Sequence, residues 1–302
     1  MKRLRDLAIV ALAVNVVVIV LGALVRATGS GAGCGDSWPT CQGTFLPELE
    51  GATAIEFTHR ASSGVALLLV AIMVWSIFRR TRRGHPARIG AVVSGVSIVI
   101  EALIGAMIVL AELVADDASV ARMISVPIHL VSTFVLLAGL MLTVFLLAGG
   151  GRLSLRENRA VARPLLLIAL GMLLIGATGG VTALADTLFP KETFDLGGLF
   201  ESSSSESFLT RLRALHPIVA LFVGVVAAVW AWSNAWDRKG GAGRAARIVV
   251  GLVALEFVLG FANILLLTPT WLSLLHLAVA DGIWLAWVWL AAELLQRTTE
   301  LA

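Results

Sequence analysis

Eight long apolar stretches, separated by polar segments, limit what this chain can fold into. They lie at about 7–26, 57–78, 89–111, 125–148, 164–184, 212–234, 246–267 and 271–292. A bilayer core about 30 Å thick needs roughly 20 apolar residues for each helical span, and each stretch has about that length. With 58% hydrophobic and 14% charged residues, the chain has more apolar surface than a water-soluble core can bury. We therefore predict an all-α integral membrane protein with eight transmembrane helices.

The charged residues alternate in sign from one connecting segment to the next. Basic residues precede the first span and fill every second loop: Lys2, Arg3, Arg5, Arg79, Arg80, Arg82, Arg83, Arg88, Arg152, Arg156, Arg159, Arg163, Arg238, Lys239, Arg244 and Arg247. The opposite loops are acidic: Glu48, Glu50, Asp116, Asp117, Glu192, Asp195, Glu201 and Glu206. By the positive-inside rule, we expect a multi-pass protein of the cell (plasma) membrane with both termini cytoplasmic. Its surroundings are membrane lipid, and the net charge of +3 does not indicate a nucleic-acid partner.

The first apolar run follows a basic N-terminus, as in a secretory signal peptide. Its length of about 20 residues exceeds the 7–15 of a signal-peptide core, which favours a retained first helix.

Four of the five histidines stand just inside the start of the even-numbered spans: His59, His129, His216 and His276. Alternate spans cross in the same direction, so the four imidazoles should lie at one depth near the outer face. A polar ring in lipid is costly unless it binds something. Paired histidines on neighbouring helices are natural axial ligands of haem iron, whereas a zinc site would use a third or fourth protein ligand. A hydrogen bond between helices is the alternative for any single histidine. We predict His85, in a basic loop, to be a solvated residue.

The two halves of the chain resemble each other. The matching features are Gly22 and Gly176 near the ends of spans one and five, the Glu101-x-x-x-Gly105 and Glu256-x-x-x-Gly260 motifs, and the histidines, with His59 matching His216 and His129 matching His276. Four spans separate the copies, so both have the same topology. We predict two pseudo-symmetric four-helix bundles side by side, residues 1–150 and residues 151–302, each with its own pair of histidines.

The two predicted sites differ in one acidic residue. Glu56 and His59 are three residues apart and share a helix face if the helix begins by residue 56. Arg60 would pair with Glu56 or with a haem propionate. The second half has Arg213 three residues before His216 and no acid in the matching place. This asymmetry indicates a substrate in the first half and an electron-transfer cofactor in the second. A charge that stabilises the helix N-terminus is the alternative role for Glu56.

Two further groups of residues need an interpretation. Cys34 and Cys41 fall in the first outer loop, on the oxidising side, where a disulfide is the default expectation and a pair of redox-active free thiols is the alternative. Glu101, Glu256 and Asp281 lie within apolar spans and should face the interior of the protein. We leave two roles open for these acids: a proton route or quinol site, or a polar contact between the repeats.

The segment GAGCGDSWPTCQG at 31–43, followed by Glu56-x-x-His59-Arg60, resembles the haem A synthase family. The similarity extends over all eight spans, including the single histidine in each even-numbered one. The combination of a Cys-x6-Cys loop with an internal Trp-Pro, the Glu-x-x-His-Arg motif and four regularly placed histidines is specific. Any one of these elements alone would be weak evidence.

The resemblance implies an oxygen-dependent, haem b-containing oxidoreductase at the outer side of the membrane. It would oxidise a methyl group of haem O to a formyl group through a hydroxymethyl intermediate. The resemblance also implies a role for each matching residue: His59 and His129 would bracket the substrate haem, His216 and His276 would ligate the haem b iron, Glu56 would be required for turnover, and Cys34 and Cys41 would be the outer loop pair. The implied partners are a haem O synthase upstream and an aa3-type terminal oxidase downstream.

One position departs from the pattern of the family. Pro217 follows His216, where some members have arginine, and proline disfavours a helical conformation in the residue before it. We therefore expect the sixth helix to begin or kink at His216. Arg213 or Arg211 would take over any propionate contact.

Several alternatives stay open from the sequence. A dihaem b-type cytochrome would pass electrons from quinol without modifying haem, and a repeat-built transporter would show helices broken at the midplane. Quinol is a candidate electron donor, and a homo-oligomer is compatible with the pattern.

The roles of two groups of site residues also stay open. Glu56 would act in proton transfer or as a covalent nucleophile. If His59 and His129 both stay bound to the substrate iron, oxygen finds no free position, so we hypothesise that one of them is labile.

Overall fold

A computed structural model describes residues 1–190 and 212–297 of the chain. Within these residues the fold consists of long helices, without β-strands: α1 (Lys2–Ala27), α2 (Gly51–Arg80), α3 (Ala87–Leu110), α4 (Val120–Leu147), α5 (Arg159–Leu188), α6 (Leu215–Ala235), α7 (Gly241–Leu265) and α8 (Thr270–Leu295). All eight are long and apolar enough to cross a membrane. The prediction of an all-α protein with eight membrane-spanning helices is confirmed.

Several helices extend beyond the apolar stretches that predicted them. α2 begins at Gly51, so Glu56 and His59 both lie within it and share a face as predicted. α4 begins at Val120, where the Ser119 hydroxyl accepts a hydrogen bond from the backbone N–H of Arg122 at 3.2 Å. This capping contact starts the helix in the polar segment before the apolar run.

The start of α6 agrees with the expectation from Pro217. The helix begins at Leu215, so His216 is its second residue and Pro217 lies in its first turn. The missing N–H of proline costs no hydrogen bond in a first turn. The proline is therefore compatible with a helix that starts one residue before the histidine.

Helix neighbours follow the order of the chain within each half. α1 packs against α2 and α4, and α3 packs against α2 and α4; α5 packs against α6 and α8, and α7 packs against α6 and α8. The halves meet where α1 and α4 contact α5 and α8. At that junction the Trp284 indole N–H donates to the carbonyl of Phe134 at 2.7 Å. The division into two bundles near residue 150 stays a prediction.

Small residues bring α3 and α4 together. A Cβ atom on Gly90 would lie 2.9 Å from the backbone nitrogen of Thr143, and one on Gly139 would lie 2.9 Å from that of Ser94. Close backbone approach at glycine is the usual way in which membrane helices pack, because lipid gives no hydrophobic driving force between them. This packing fixes the rotation of α4 and therefore the direction of the histidine it carries.

An arginine links the two halves near the ends of α1 and α5. The Arg26 guanidinium donates to the carbonyl of Ala183 at 2.6 Å and to the hydroxyl of Thr187 at 2.7 Å.

Some residues on which the sequence predictions depend lie outside the described residues. They are Arg211 and four of the acidic residues used to predict the orientation: Glu192, Asp195, Glu201 and Glu206. The cytoplasmic location of the termini stays a prediction.

Candidate haem sites

The structure brings the histidines together in the predicted pairs. The rings of His216 and His276 have centroids 6.3 Å apart and are nearly perpendicular, at 87°. His59 lies within electrostatic range of His129. The fifth histidine, His85, lies in the loop between α2 and α3, where its Nδ1 accepts the N–H of Ala87 at 3.2 Å.

Each of the four paired imidazoles lies near a glycine of the preceding helix. A Cβ atom built on that glycine would approach the imidazole Cε1 at 2.9 Å for Gly22 and His59, 3.9 Å for Gly105 and His129, 3.0 Å for Gly179 and His216, and 3.3 Å for Gly260 and His276. At Gly22 and Gly179 a side chain would displace the ring. These glycines therefore leave the imidazoles room in their present orientation.

The glycine that corresponds to Gly22 is Gly179, so the predicted match with Gly176 was wrong. Gly179 lies against His216 as Gly22 lies against His59. Both pairs are offset by 157 residues, from 22 to 179 and from 59 to 216. Gly176 instead lies against the ring of Phe134, toward the other half. The run Gly176-Ala-Thr-Gly179 offers two glycines almost one turn apart, and only packing shows which one meets the histidine.

Two acids of the membrane-spanning helices contact histidines. Glu101 Oε2 lies 3.0 Å from His129 Nδ1, and Glu256 Oε1 lies 3.3 Å from His276 Nδ1. The Ser132 hydroxyl donates to the other oxygen of Glu101. The interpretation of these acids as contacts between the repeats was wrong, because each one pairs with the histidine of its own half.

Sequence reasoning missed these carboxylate–histidine pairs, although a signal was present. In each Glu-x-x-x-Gly motif the acid and the glycine are four residues apart and share a helix face. Because the glycine lies near a histidine, the acid on the same face lies near it too. The motif is therefore the local pattern of one helix that contacts one imidazole.

The other two histidines face neutral groups. His59 lies near the backbone carbonyl of Val18 in α1, and His216 lies near that of Ile175 in α5, although Nδ1 of His59 makes no hydrogen bond within the described residues. The Thr178 hydroxyl also lies 3.3 Å from His216 Nδ1. Each pair therefore combines one histidine beside a carboxylate with one beside uncharged oxygen atoms.

Glu56 is buried and fully engaged with its neighbours. Its side chain accepts hydrogen bonds from the backbone N–H of Cys34 at 2.8 Å and from Arg60 Nε at 3.0 Å. Arg60 also donates through Nη1 to the carbonyls of Ser37 and Thr40 at 2.5 and 2.8 Å. The Glu56–Arg60 ion pair thus ties the cysteine loop to α2 one turn from His59. Of the two partners predicted for Arg60, the structure has Glu56.

The loop tied down by this ion pair is closed by a Cys34–Cys41 disulfide, as expected. Both cysteines are buried. The loop approaches α2 closely at Gly33, where a Cβ atom would overlap the backbone of Ala52. The Thr53 hydroxyl donates to the Gly33 carbonyl at 2.7 Å. The loop is therefore closed by its disulfide and packed against the first turns of α2.

In the second half, an arginine occupies the position that corresponds to Glu56 in the first half. Arg213 precedes His216 by three residues, as Glu56 precedes His59. Its Nε lies 2.9 Å from a carboxylate oxygen of Asp186, and it donates to the carbonyls of Ala185 and Phe189. As expected, the second half has no acid at this position, and it has the positively charged Arg213 there instead.

Asp281 is a fully buried acid in α8. Neither of its carboxylate oxygens has a hydrogen-bond partner within residues 1–190 and 212–297. The matching position of the first half, five residues after His129, is Phe134. A role of Asp281 in a proton route or a quinol site stays a prediction.

Comparison with known proteins agrees with the resemblance seen in the sequence. A family model described as cytochrome oxidase assembly protein (COX15-CtaA) matches residues 5–288. A protoheme IX farnesyltransferase of Thermus thermophilus is 43% identical over 94% of this chain, but the chain spans only 47% of that relative. Heme A synthases of Bacillus pumilus and Symbiobacterium thermophilum are 39% and 46% identical over 35% and 25% of the chain, with the same shares of their own length. The chain therefore belongs to the COX15-CtaA family of cytochrome oxidase assembly proteins.

Proposed function

We propose that this chain is a haem A synthase that oxidises a methyl group of haem O to a formyl group through a hydroxymethyl intermediate, at the outer side of the plasma membrane. Family membership supports haem A synthesis. The observation that carries the proposal is the asymmetry between the two histidine pairs. A buried carboxylate, Glu56, precedes His59, and Arg213 takes its place before His216. The first pair is then the place of chemistry and the second holds a cofactor.

His216 and His276 have the spacing that haem b would need. A metal–nitrogen bond is about 2 Å long, so imidazoles on opposite sides of one iron have centroids about 6 Å apart. The observed separation of 6.3 Å fits that arrangement. Glu256 beside His276 and Thr178 beside His216 would orient the two rings. Haem b bound there would supply single-electron transfer.

In the first half, His59 and His129 would hold the iron of haem O as substrate. Oxidation of an unactivated methyl group is beyond amino-acid side chains, so an iron centre and molecular oxygen must supply it. The residues of the chain would position the methyl group and handle protons. Glu56 would take up or release a proton, and the contacts of its carboxylate with Arg60 and the Cys34 N–H support this role by fixing its position.

We further infer that the substrate comes from a haem O synthase and that the product serves an aa3-type oxidase. The Thermus relative supports the first partnership, because a protein named protoheme IX farnesyltransferase contains a segment similar to nearly this whole chain and a further half that the chain does not match. An enzyme that supplies haem O would benefit from being next to one that consumes it. Quinol stays the candidate electron donor.

Expression together with a haem O synthase tests the proposed function. We expect extracted haems to include hydroxymethyl and formyl derivatives, identified by mass spectrometry. The double variant His59→Ala/His129→Ala should yield only haem O and haem b. Unchanged haem O in folded, haem-loaded wild-type protein would contradict the proposal and favour a dihaem cytochrome that modifies no haem.

The glycine beside His59 gives a second, more local test. Gly22→Ala would place a Cβ atom 2.9 Å from the imidazole, which must then move. We expect bound haem O to be retained but to lose the low-spin absorption spectrum of six-coordinate iron, because the displaced His59 no longer reaches it. Gly105→Ala is the matched control, because its Cβ atom would lie 3.9 Å from His129, an ordinary contact distance. The same low-spin spectrum in the two variants would show that the position of His59 does not matter for its bond to the iron.

A further inference from the structure

The two histidines of the first pair are held by chemically different partners. His129 Nδ1 lies 3.0 Å from one oxygen of the Glu101 carboxylate, and the Ser132 hydroxyl donates a hydrogen bond to the other oxygen. The Glu101 side chain is only 9% exposed, so water screens this contact little. His59 instead lies near the uncharged carbonyl of Val18.

A carboxylate at Nδ1 changes an imidazole as a metal ligand. It fixes the tautomer and the ring orientation, leaves Nε2 for the metal, and raises the basicity of the ligand. The carbonyl near His59 carries no charge to stabilise a more basic imidazole, and Nδ1 of His59 makes no hydrogen bond within the described residues. His129 is therefore the stronger donor of the pair, and His59 the weaker one.

We infer that His59 is the ligand that leaves the substrate iron, and that Glu101 holds His129 as the permanent ligand. This inference rests on the proposed function, because it requires haem O between the two histidines. When the bond between iron and His59 breaks, its electron pair stays on the imidazole nitrogen, so no electron or proton is transferred. The vacated side of the haem is the side of α2, where Glu56 lies one turn from His59.

The second pair gives an internal comparison. His276 has a carboxylate partner, as His129 has, and His216 has both a carbonyl and the Thr178 hydroxyl. The residue matching Thr178 in the first half, 157 positions earlier, is Leu21. The second pair therefore has an additional polar contact on its weaker ligand, as suits a haem that transfers electrons without opening a position.

Single ligand variants test which histidine is permanent. The protein is produced together with a haem O synthase, and haem O is quantified against haem b, whose retention in the second site reports correct folding. We expect His59→Ala to keep haem O within about twofold, as a ferrous form that binds CO. We expect His129→Ala to lose at least about tenfold, because removing the ligand itself should cost no less than the 10–100-fold typical of losing a hydrogen-bonding partner of a ligand. Loss of haem O from His59→Ala with haem b retained, or its retention by His129→Ala, would overturn the inference.

Glu101→Gln tests the positioning role of the carboxylate. We expect about tenfold weaker haem O retention and, in the ferrous His59→Ala background, an iron–histidine stretching frequency that falls in resonance Raman spectra. Glu256→Gln is the matched control and should change only the second haem. An unchanged frequency would overturn the role of Glu101.

If His59→Ala does not accumulate, the CO adduct of the otherwise wild-type protein answers the same question. Its C–O stretch should shift on Glu101→Gln, because His129 remains opposite CO, and no shift would overturn the inference. None of these measurements requires the protein to convert haem O. A failure to form hydroxymethyl or formyl haem would therefore contradict the proposed function without bearing on the inference about the two ligands.

Discussion

Replacing Glu56 by glutamine is expected to lower the formation of hydroxymethyl and formyl haem at least about 100-fold, the typical contribution of a general acid–base group. Glutamine has nearly the same shape and still accepts the hydrogen bond from the Cys34 N–H, but it cannot exchange a proton near neutral pH. Haem O should still bind, because His59 and His129 are unchanged. The products are measured by mass spectrometry in cells that also make haem O.

The control for Glu56→Gln must separate chemistry from structure, because Glu56 also holds the cysteine loop. Glu48→Gln, at an exposed position of the same loop, should retain full product formation. Resistance of the loop to proteolysis should be the same in wild type and Glu56→Gln if the loop stays in place. Product formation within threefold of wild type would rule out a proton-transfer role. Lost product together with a newly cleaved loop would assign Glu56 a structural role instead.

Removing Arg60 is expected to destabilise the protein strongly. The Arg60 and Glu56 side chains are 11% and 4% exposed, and loss of one partner leaves a buried charge unpaired. Such a change costs about 3–5 kcal/mol of the free energy of unfolding. Arg60→Ala also removes the donor to the carbonyls of Ser37 and Thr40. Unfolding in detergent solution, followed by circular dichroism, measures the loss.

An exposed ion pair of the same chain serves as the control. Arg5 and Asp6 are 39% and 50% exposed, so Arg5→Ala should cost less than about 1 kcal/mol. The double variant Glu56→Ala/Arg60→Ala should recover part of the stability lost in Arg60→Ala, because it removes the unpaired carboxylate. Equal effects of Arg60→Ala and Arg5→Ala would mean that the buried pair contributes no more than a surface contact.

The sequence predicted which histidines lie together, but it did not predict which side chains contact them. The pairing of His216 with His276 followed from counting spans, since alternate helices have the same direction. The partner of Arg60 and the start of α6 beside His216 were also within reach, because they depend on neighbours along one helix. The partners of Glu101 and Glu256 were not, because those contacts join different helices.

The mistaken match between Gly22 and Gly176 has the same origin. In a water-soluble helix an apolar stripe marks the face that packs inward. In a membrane the outside of the bundle is as apolar as the inside, so the pattern does not reveal helix rotation. α2 shows this directly, because Leu68 and Trp75 are 63% and 60% exposed while Val70 and Met73 are fully buried.

The amino-acid sequence by itself determined that this chain is an eight-span helical membrane protein with four histidines in alternate spans. It could do so because the bilayer sets the length of each span and the cost of each polar group. Only the tertiary structure decided that Glu101 and Glu256 pair with His129 and His276, and that the Glu56–Arg60 pair holds the disulfide loop. These contacts depend on the rotation and depth of each helix, which the packing of small residues between helices sets.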